Sequence, residues 1–440
     1  MKLLLLATFA LGALSSLSAE ESPFAKIKKV DDLFNQACSA CHGKDLNQGQ
    51  GGSLVDGVWK HGSTEAEIFR SIHDGNKQMG MEAFGKVLSD EQIRGLVIYI
   101  REKEKAAKFK KLEFPSPKPG KVTKTDRASY KVEMVVKDGL KNPWAIAFLP
   151  DGSRLVTERG GELRIISKDG KLDPKPINGL PEIISHGQGG LMEVAIHPDY
   201  SENGWIYLGF ADGWKEKGKA KTITAIVRGR IKDGAWTDQE WIWKTDKKFY
   251  TGAGVHFGTR MVFQDSYLYF VVGERGGMME VQDLKNPKGK IYRLFDDGRE
   301  PKDNPFYGQE GVVKGIWTYG HRNPQGLSID PRNGKIYSTE HGPRGGDELN
   351  LIEKGANYGW PVITYGMNYN GTPMTAKTEQ EGMEQPVHFW VPSIAVCGLD
   401  FYSGDAFPGW KNDLMVGALK QQEVRRLRLQ DGKVIEEEII

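Results

Sequence analysis

Cysteine is scarce in this chain: 440 residues contain only three, Cys38, Cys41 and Cys397. A structural zinc site needs about four clustered ligands, and Cys397 lies too far along the chain to join the other two. Net charge is equally scarce, +2 at neutral pH, which leaves no basic footprint for nucleic acid. Long apolar runs are missing after the first residues. There, Lys2 precedes an apolar run over residues 3–14, and small residues lead to Ala19. That run is too short for a permanent membrane span. Residues 1–19 therefore read as a cleavable signal peptide, which sends the chain to the periplasm without a transmembrane anchor. Neither a phosphate-binding glycine loop nor a sustained helical period occurs in the long C-terminal part. Glycine and aromatic side chains are abundant, in a chain long enough for two domains.

The neighbouring cysteines belong to Cys38-Ser39-Ala40-Cys41-His42, the Cys-x-x-Cys-His pattern of covalent haem attachment. Two thiols three positions apart on a helix share one side of it and reach the two vinyl groups of one haem. The imidazole of His42 follows at once and can turn onto the iron. Export agrees with this, since such haems are attached outside the cytoplasm. Met79, Met81, His61 and His73 are the candidates for the second axial position. Met81-Glu82-Ala83-Phe84-Gly85 resembles the Met-Pro-Ala-Phe loop of small class I cytochromes c, with Glu82 in place of proline, which favours Met81. Thioether ligation would raise the reduction potential. Val30, Leu33, Phe34 and Ala37 form an apolar helical stripe before the motif. After it, Ser89 and Gln92 form a capping box, and Ile93, Leu96, Val97 and Ile100 a second stripe. These features predict a small all-α cytochrome c domain over residues 20–105.

Lys108, Lys110, Lys111, Pro115, Pro117, Pro119 and Gly120 mark residues 106–129 as an exposed, semi-rigid linker. Beyond it a unit recurs: an apolar run rich in strand formers, a turn with Asp, Pro, Asn or Gly, then a second run. Residues 144–148 precede Pro150-Asp151-Gly152, and residues 193–196 precede His197-Pro198-Asp199. Residues 260–263 precede 267–270, residues 325–329 precede 330–334, and residues 398–402 precede 412–416. Five such units and part of another predict an all-β propeller over residues 130–440.

Four stretches of that region carry a resemblance. They are Gly320-His321-Arg322-Asn323-Pro324-Gln325-Gly326-Leu327, Glu340-His341-Gly342-Pro343 with Asp347-Glu348, Asn357-Tyr358-Gly359-Trp360-Pro361, and Pro301-Lys302-Asp303-Asn304-Pro305. Together they resemble the soluble quinoprotein aldose/glucose dehydrogenases, from about Tyr130 onward. The resemblance implies a six-bladed propeller, pyrroloquinoline quinone (PQQ), calcium, and oxidation of an aldose at C1 to its lactone. By the same resemblance, His256 in Gly254-Val255-His256-Phe257-Gly258 matches the base. Glu274 in Gly273-Glu274-Arg275-Gly276 matches the acid that orients it, where most relatives have Asp. The residue types suit the chemistry, which needs a base for the hydroxyl proton, a hydride acceptor and positive charge nearby. Arg322 and Asn323 match residues beside the reactive PQQ carbonyl, and Gln188 a substrate-side glutamine. Lys420 matches a lysine paired with PQQ carboxylates, and Trp390 an aromatic stacked on the ring system. A further family glutamine falls near Met279, so that contact is expected to be absent or displaced. Gly342 and Pro343 match carbonyl ligands of one calcium, and Glu348 and Tyr358 those of a second; all are the oxygen donors a hard cation takes.

The expectation is a periplasmic quinohaemoprotein that passes electrons from sugar to haem and on to an external acceptor, such as a soluble cytochrome or the respiratory chain. Two other readings stay open: a propeller that only binds carbohydrate or protein, and a PQQ dehydrogenase for a different alcohol. The family continues through a last blade that gives arginines to PQQ, whereas the sequence ends at Glu436-Glu437-Glu438-Ile439-Ile440, so an incomplete last blade is expected.

Overall fold

The computed structural model describes residues 22–111 and 118–440, and the side chains of these except 109–111. The expected signal peptide and residues 112–117 of the expected linker lie outside the described residues. Four helices build the N-terminal unit: α1 (Val30–Ala37), α2 (Ser39–His42), α3 (Glu65–Asp74) and α4 (Asp90–Lys111). The two apolar stripes meet where α1 packs on α4: Val30, Leu33, Phe34, Ile93, Leu96 and Val97 are each 1% exposed or less. At the start of α4, Ser89 N–H donates to Gln92 Oε1 (3.0 Å) and Gln92 N–H to Ser89 Oγ (3.3 Å). This reciprocal pair satisfies two donors that a helix start leaves bare. The helix then runs to Lys111, into the segment read as linker. Lys103, Glu104, Lys105, Ala106 and Ala107 are all good helix formers, and Arg101 pairs with Glu104 one turn on (2.7 Å).

Strand formers alternate with turns through the rest of the chain, and each group folds into a small antiparallel sheet. Blade 1 has three strands (Pro143–Phe148, Arg154–Glu158, Glu162–Ile166). Blade 2 has four (Leu191–Ile196, Ile206–Glu216, Lys219–Lys232, Ala235–Trp243). So do blade 3 (Gly258–Gln264, Tyr267–Val272, Lys290–Phe295, Ile316–Tyr319) and blade 4 (Pro324–Ile329, Ile336–Glu340, Asp347–Ile352, His388–Trp390). Blade 5 comprises Val396–Phe401, Leu414–Ala418, Glu423–Gln430 and Lys433–Ile439. Five blades are thus present among the described residues, against the six that the resemblance implied. The first strands of successive blades pack side by side around a common axis. Apolar layers fill the wedges between blades: Leu155 and Leu163 meet Leu191, Leu208 and Phe210 without exposed surface. The fold is therefore a β-propeller, and the loops that enter and leave its first strands converge near the axis. No helix among the described residues is long and apolar enough to cross a membrane.

Candidate functional site

Two places gather the singled-out residues. In the helical unit, Cys38 caps α2, and Cys41 and His42 lie on it. His42 Nδ1 sits 3.2 Å from Gly52 O. A carbonyl only accepts, so Nδ1 carries the proton and Nε2 keeps its lone pair for a metal. The chain passes tightly under this ring: a Cβ on Gly51 would lie 2.9 Å from His42 Cε1. Of the axial candidates, Met79 is 59% exposed. His61 Nε2 accepts from Asn76 Nδ2 (3.2 Å), and His73 Nδ1 lies 2.6 Å from Asp74 Oδ1. Met81 packs against the apolar core of the unit, its backbone fixed by two bonds with Asn76 (2.8 and 3.0 Å).

The second place is the end of the propeller axis. His256 lies in the loop entering blade 3, in a left-handed conformation (φ 53°). Its N–H donates to Gln188 Oε1 (2.8 Å), and Gln188 N–H donates to Gly254 O (2.7 Å). Gly187 permits this approach, because a Cβ there would sit 2.1 Å from Gly254 O. Glu274 follows the second strand of blade 3 and is 1% exposed. Its Oε1 lies 2.5 Å from His256 Nδ1, and its Oε2 accepts Met278 N–H (2.6 Å). Burial works against the Glu274 carboxylate, but the His256 bond and the Met278 N–H outweigh it and hold its pKa below the usual range. A charged Glu274 makes Nδ1 the donor, which leaves Nε2 of His256 as a free acceptor. Burial, and secondarily the charge of Arg322, lower the His256 pKa, while Glu274 pulls it up without cancelling them. The imidazole is therefore neutral at neutral pH and able to take a proton.

Arg322 stands between blades 3 and 4. Its carbonyl accepts Glu274 N–H (2.8 Å), so the arginine and the partner of the base share a backbone bond. Its Nη1 donates to His341 O (3.1 Å) and Gly342 O (2.8 Å), and its N–H donates to the Glu340 carboxylate. The guanidinium lies 5.2 Å from the Trp360 ring centre and 5.8 Å from that of Tyr369. Nε is buried with no partner among the described residues. Beside it, Asn323 Oδ1 accepts from Gln325 Nε2 (3.0 Å). Asp347 organises the next loop: Oδ1 accepts Gly342 N–H (3.0 Å), and Oδ2 accepts the N–H groups of Ala395 (2.6 Å) and Val396 (3.2 Å). Arg322, Glu340, His341, Gly342, Glu348 and Tyr358 help to line a cavity of about 10 Å³, room for one small occupant. The Glu348 carboxyl there is pushed up to about 8, by removal from water first and by Glu340 across the strand pair second. A cation in that cavity would relieve both effects, and the oxygen donors suit a hard one.

Other candidates lie apart from this cluster. Trp390 is 1% exposed within the apolar layer between blades 4 and 5, and its Nε1 donates to Glu437 Oε1 (2.8 Å). Its indole is fixed by that bond, and the rings beside Arg322 are Trp360 and Tyr369. Lys420 is exposed in the turn after the second strand of blade 5, tied by its N–H to Ile394 O (3.1 Å), one residue from the Asp347-bound Ala395. Met279 is 58% exposed and has no polar head to offer a ligand. Sequence reasoning missed Arg275. It is 1% exposed, its guanidinium lies 3.3 Å from the Phe257 ring centre, and it donates to Val255 O, Ala253 O (2.5 Å) and Thr222 Oγ1 (2.9 Å). These bonds pin the loop that carries His256. The only signal was an arginine between Glu274 and Gly276, which says nothing of depth.

A propeller whose axial loops join a neutral histidine, a carboxylate and an arginine, fused to a helical unit with a haem-attachment motif, defines an oxidoreductase with a cytochrome c domain. Residues 140–440 match the family model described as Glucose / Sorbosone dehydrogenase, and residues 25–100 that of Cytochrome C oxidase, cbb3-type, subunit III. The chain belongs to the glucose/sorbosone dehydrogenase family. It is 43% identical over 309 residues to aldose sugar dehydrogenase YliI of Escherichia coli (strain K12), across 69% of this chain and 82% of that one. The crystal structure of the soluble aldose sugar dehydrogenase from Escherichia coli in the apo-form matches with a TM-score of 0.64 at 41% identity, over 68% of this chain and 87% of that one. The PQQ-bound form of aldose sugar dehydrogenase from Streptomyces coelicolor matches with a TM-score of 0.56 at 26% identity, over 70% and 84%.

Proposed function

We propose that the protein oxidises an aldose at C1 to its lactone in the periplasm, with PQQ as hydride acceptor and a covalently attached haem c as the next electron carrier. The observation that carries this reading is the 2.5 Å His256–Glu274 pair set directly beside Arg322. PQQ, when bound, supplies an electrophilic carbonyl that accepts the hydride. His256 Nε2 takes the proton of the C1 hydroxyl, and Glu274 holds the other proton on Nδ1 throughout. Arg322 keeps positive charge beside the acceptor, with its unpartnered Nε as the free donor. Gln188 braces the His256 loop on the substrate side, Asn323 flanks Arg322, and Lys420 in its exposed turn is available to PQQ carboxylates.

Calcium would be held by the carbonyls of Gly342 and Pro343, and a second ion by Glu348 and Tyr358. Gly342 O already accepts Arg322 Nη1, and Pro343 O accepts Ser393 Oγ (3.1 Å); each carbonyl has a second lone pair to give. Added calcium is expected to raise the thermal midpoint of the protein, since an ion bound only by the folded state stabilises it. Glu348→Gln should abolish at least part of that increment, as read by calorimetry before and after chelation. An undiminished increment would take Glu348 out of the cation site.

Haem would be bonded through Cys38 and Cys41, with His42 Nε2 and Met81 as axial ligands. The ferric protein should show the weak sulfur-to-iron band at the red end of the visible spectrum. Met81→Ala should abolish it and lower the reduction potential; the same result from Met79→Ala would reverse the assignment. A sugar gives up two electrons and the iron holds one, so an external acceptor, a soluble cytochrome or the respiratory chain, must empty the haem twice per sugar. The functional test is dye reduction by the full-length protein with PQQ and calcium added singly and together, over a panel of sugars and alcohols. Turnover that needs both additions and favours aldoses supports the proposal. Sugar binding without turnover would mean a binding module, and preference for simple alcohols a different dehydrogenase.

A further inference from the structure

The haem-bearing unit rests on a built surface of the propeller. Arg344, between the second and third strands of blade 4, grips Glu102 of α4 in a two-pronged ion pair: Nε lies 3.1 Å from both carboxylate oxygens and Nη2 2.7 Å from one. At the start of α1, Val30 N–H donates to Gly371 O (2.9 Å). Arg94 of α4 is 5% exposed, donates to Tyr365 O (3.4 Å), and lies 5.7 Å over the Tyr365 ring. Its other partner is Glu65 of α3 (2.5 Å). Met367 (0% exposed) and Val391 (6%), both from the propeller, are packed into the apolar core of the helical unit. A unit held only by a tether has no reason to enclose its partner's methionine.

The same two loops that meet the helices also shape the candidate site. Arg344 directly follows Gly342 and Pro343, and Gly342 O is an acceptor of Arg322. Arg344 and Met367 exchange two backbone bonds, each 2.9 Å. Between Met367 and Gly371, Tyr369 reaches to 5.8 Å from the Arg322 guanidinium. Loop 341–346 therefore carries the acceptors of the Arg322 guanidinium and loop 364–373 a ring beside it, and both loops carry anchors of the helices.

We infer that this face is a dedicated docking site for the chain's own haem domain, clamped by Arg344 and Glu102, so that electrons cross within one fixed assembly. The inference rests on the proposed function for its purpose, while the docking itself needs no cofactor. Its strongest single contact is a planar guanidinium on a carboxylate, a geometry that a like charge reverses.

Glu102→Arg sets two cations face to face and lies outside the proposed catalytic machinery. Dye reduction by the PQQ- and calcium-loaded propeller should be unchanged in this variant. Sugar-driven haem reduction should slow by about tenfold or more, the factor that roughly 1.4 kcal/mol of lost docking removes. Hydrogen exchange in α4 and in residues 364–373 should rise, in protein without PQQ as well as with it. Glu102→Arg combined with Arg344→Glu inverts the pair and should restore both exchange protection and haem reduction. Unchanged exchange and unchanged haem reduction in Glu102→Arg would overturn the inference, as would a double variant that recovers neither. Loss of PQQ-dependent dye reduction in the unaltered protein would sink the proposed function instead, and would leave the exchange result standing.

Discussion

His256→Ala is expected to lower kcat by about 10²–10⁴-fold while PQQ still binds, because a positioned base is worth that much and the residue's backbone contact is retained. His256 reaches its place through its own N–H, which donates to Gln188 Oε1 (2.8 Å), so alanine keeps the loop tied. Loss of the imidazole removes the acceptor Nε2 and, with Nδ1, the partner of Glu274 Oε1, which keeps its second bond from Met278 N–H. The pH profile gives a finer test. Burial and Arg322 hold the His256 pKa below its ordinary 6.5. A base with a depressed pKa is neutral above that value and is lost as pH falls through it. The acid limb of kcat/KM should therefore lie below pH 6.5 if no other group titrates there. Arg275, Glu274 and His341 also face this imidazole, and of these Glu274 alone raises its pKa. Glu274→Gln should lower the plateau rate and move the acid limb further down. A limb that stays in place would deny Glu274 its electrostatic part. Near-full turnover by His256→Ala would remove this residue from the chemistry and revive the propeller as a binding module.

Much of this architecture is legible in the residues, for identifiable reasons. Each of the five apolar runs marked in the sequence falls on the first strand of a blade or begins within it, because strands near the axis pack against neighbouring blades and read as apolar segments; in blade 1 only Ala145 and Ala147 of the run are buried, while Trp144, Ile146 and Phe148 are exposed. The capping pair of Ser89 and Gln92 depends on neighbours three apart, and local patterns survive folding. Burial of charge does not announce itself in this way. Arg275 and Arg426 are 1% and 0% exposed, yet both sit in polar surroundings in sequence. Arg426 is held by Asp413, Glu436 and Glu438, partners 10 to 13 residues away that strand pairing within blade 5 brings beside it. Trp390 matches a stacking position by resemblance, and nothing in the sequence marks Glu437 as the partner of its indole. α4 outran its expected end because a run of Lys, Glu and Ala serves equally as a solvated helix and as a linker. The Arg344–Glu102 contact joins segments far apart in sequence, and two ordinary charged residues carry no mark of it.

Arg322→Met is expected to cost about 10²–10³-fold in kcat, the range for removing one charge aimed at a site of developing negative charge. Methionine keeps most of the volume and the bond from the main-chain N–H to Glu340, so the fold around blade 4 should survive. What disappears is the donor pair on His341 O and Gly342 O, and the free Nε between them and the site. Lysine should rescue little, because a point charge on a flexible stem cannot hold two carbonyls and also present a further donor in the same plane. The loss of those carbonyl contacts loosens the loop proposed to hold calcium, so the calcium-dependent rise in thermal midpoint should shrink in Arg322→Met. A purely structural arginine would produce that shrinkage and nothing more. The distinguishing readout is again the acid limb. Arg322 lowers the His256 pKa, so its removal lets that pKa rise toward 6.5, and the limb should move up in pH. Glu274→Gln moves the same limb down. Opposite shifts from two substitutions on either side of one imidazole would place both charges on His256 itself, whereas shifts of the same sign would refute this electrostatic account of the site.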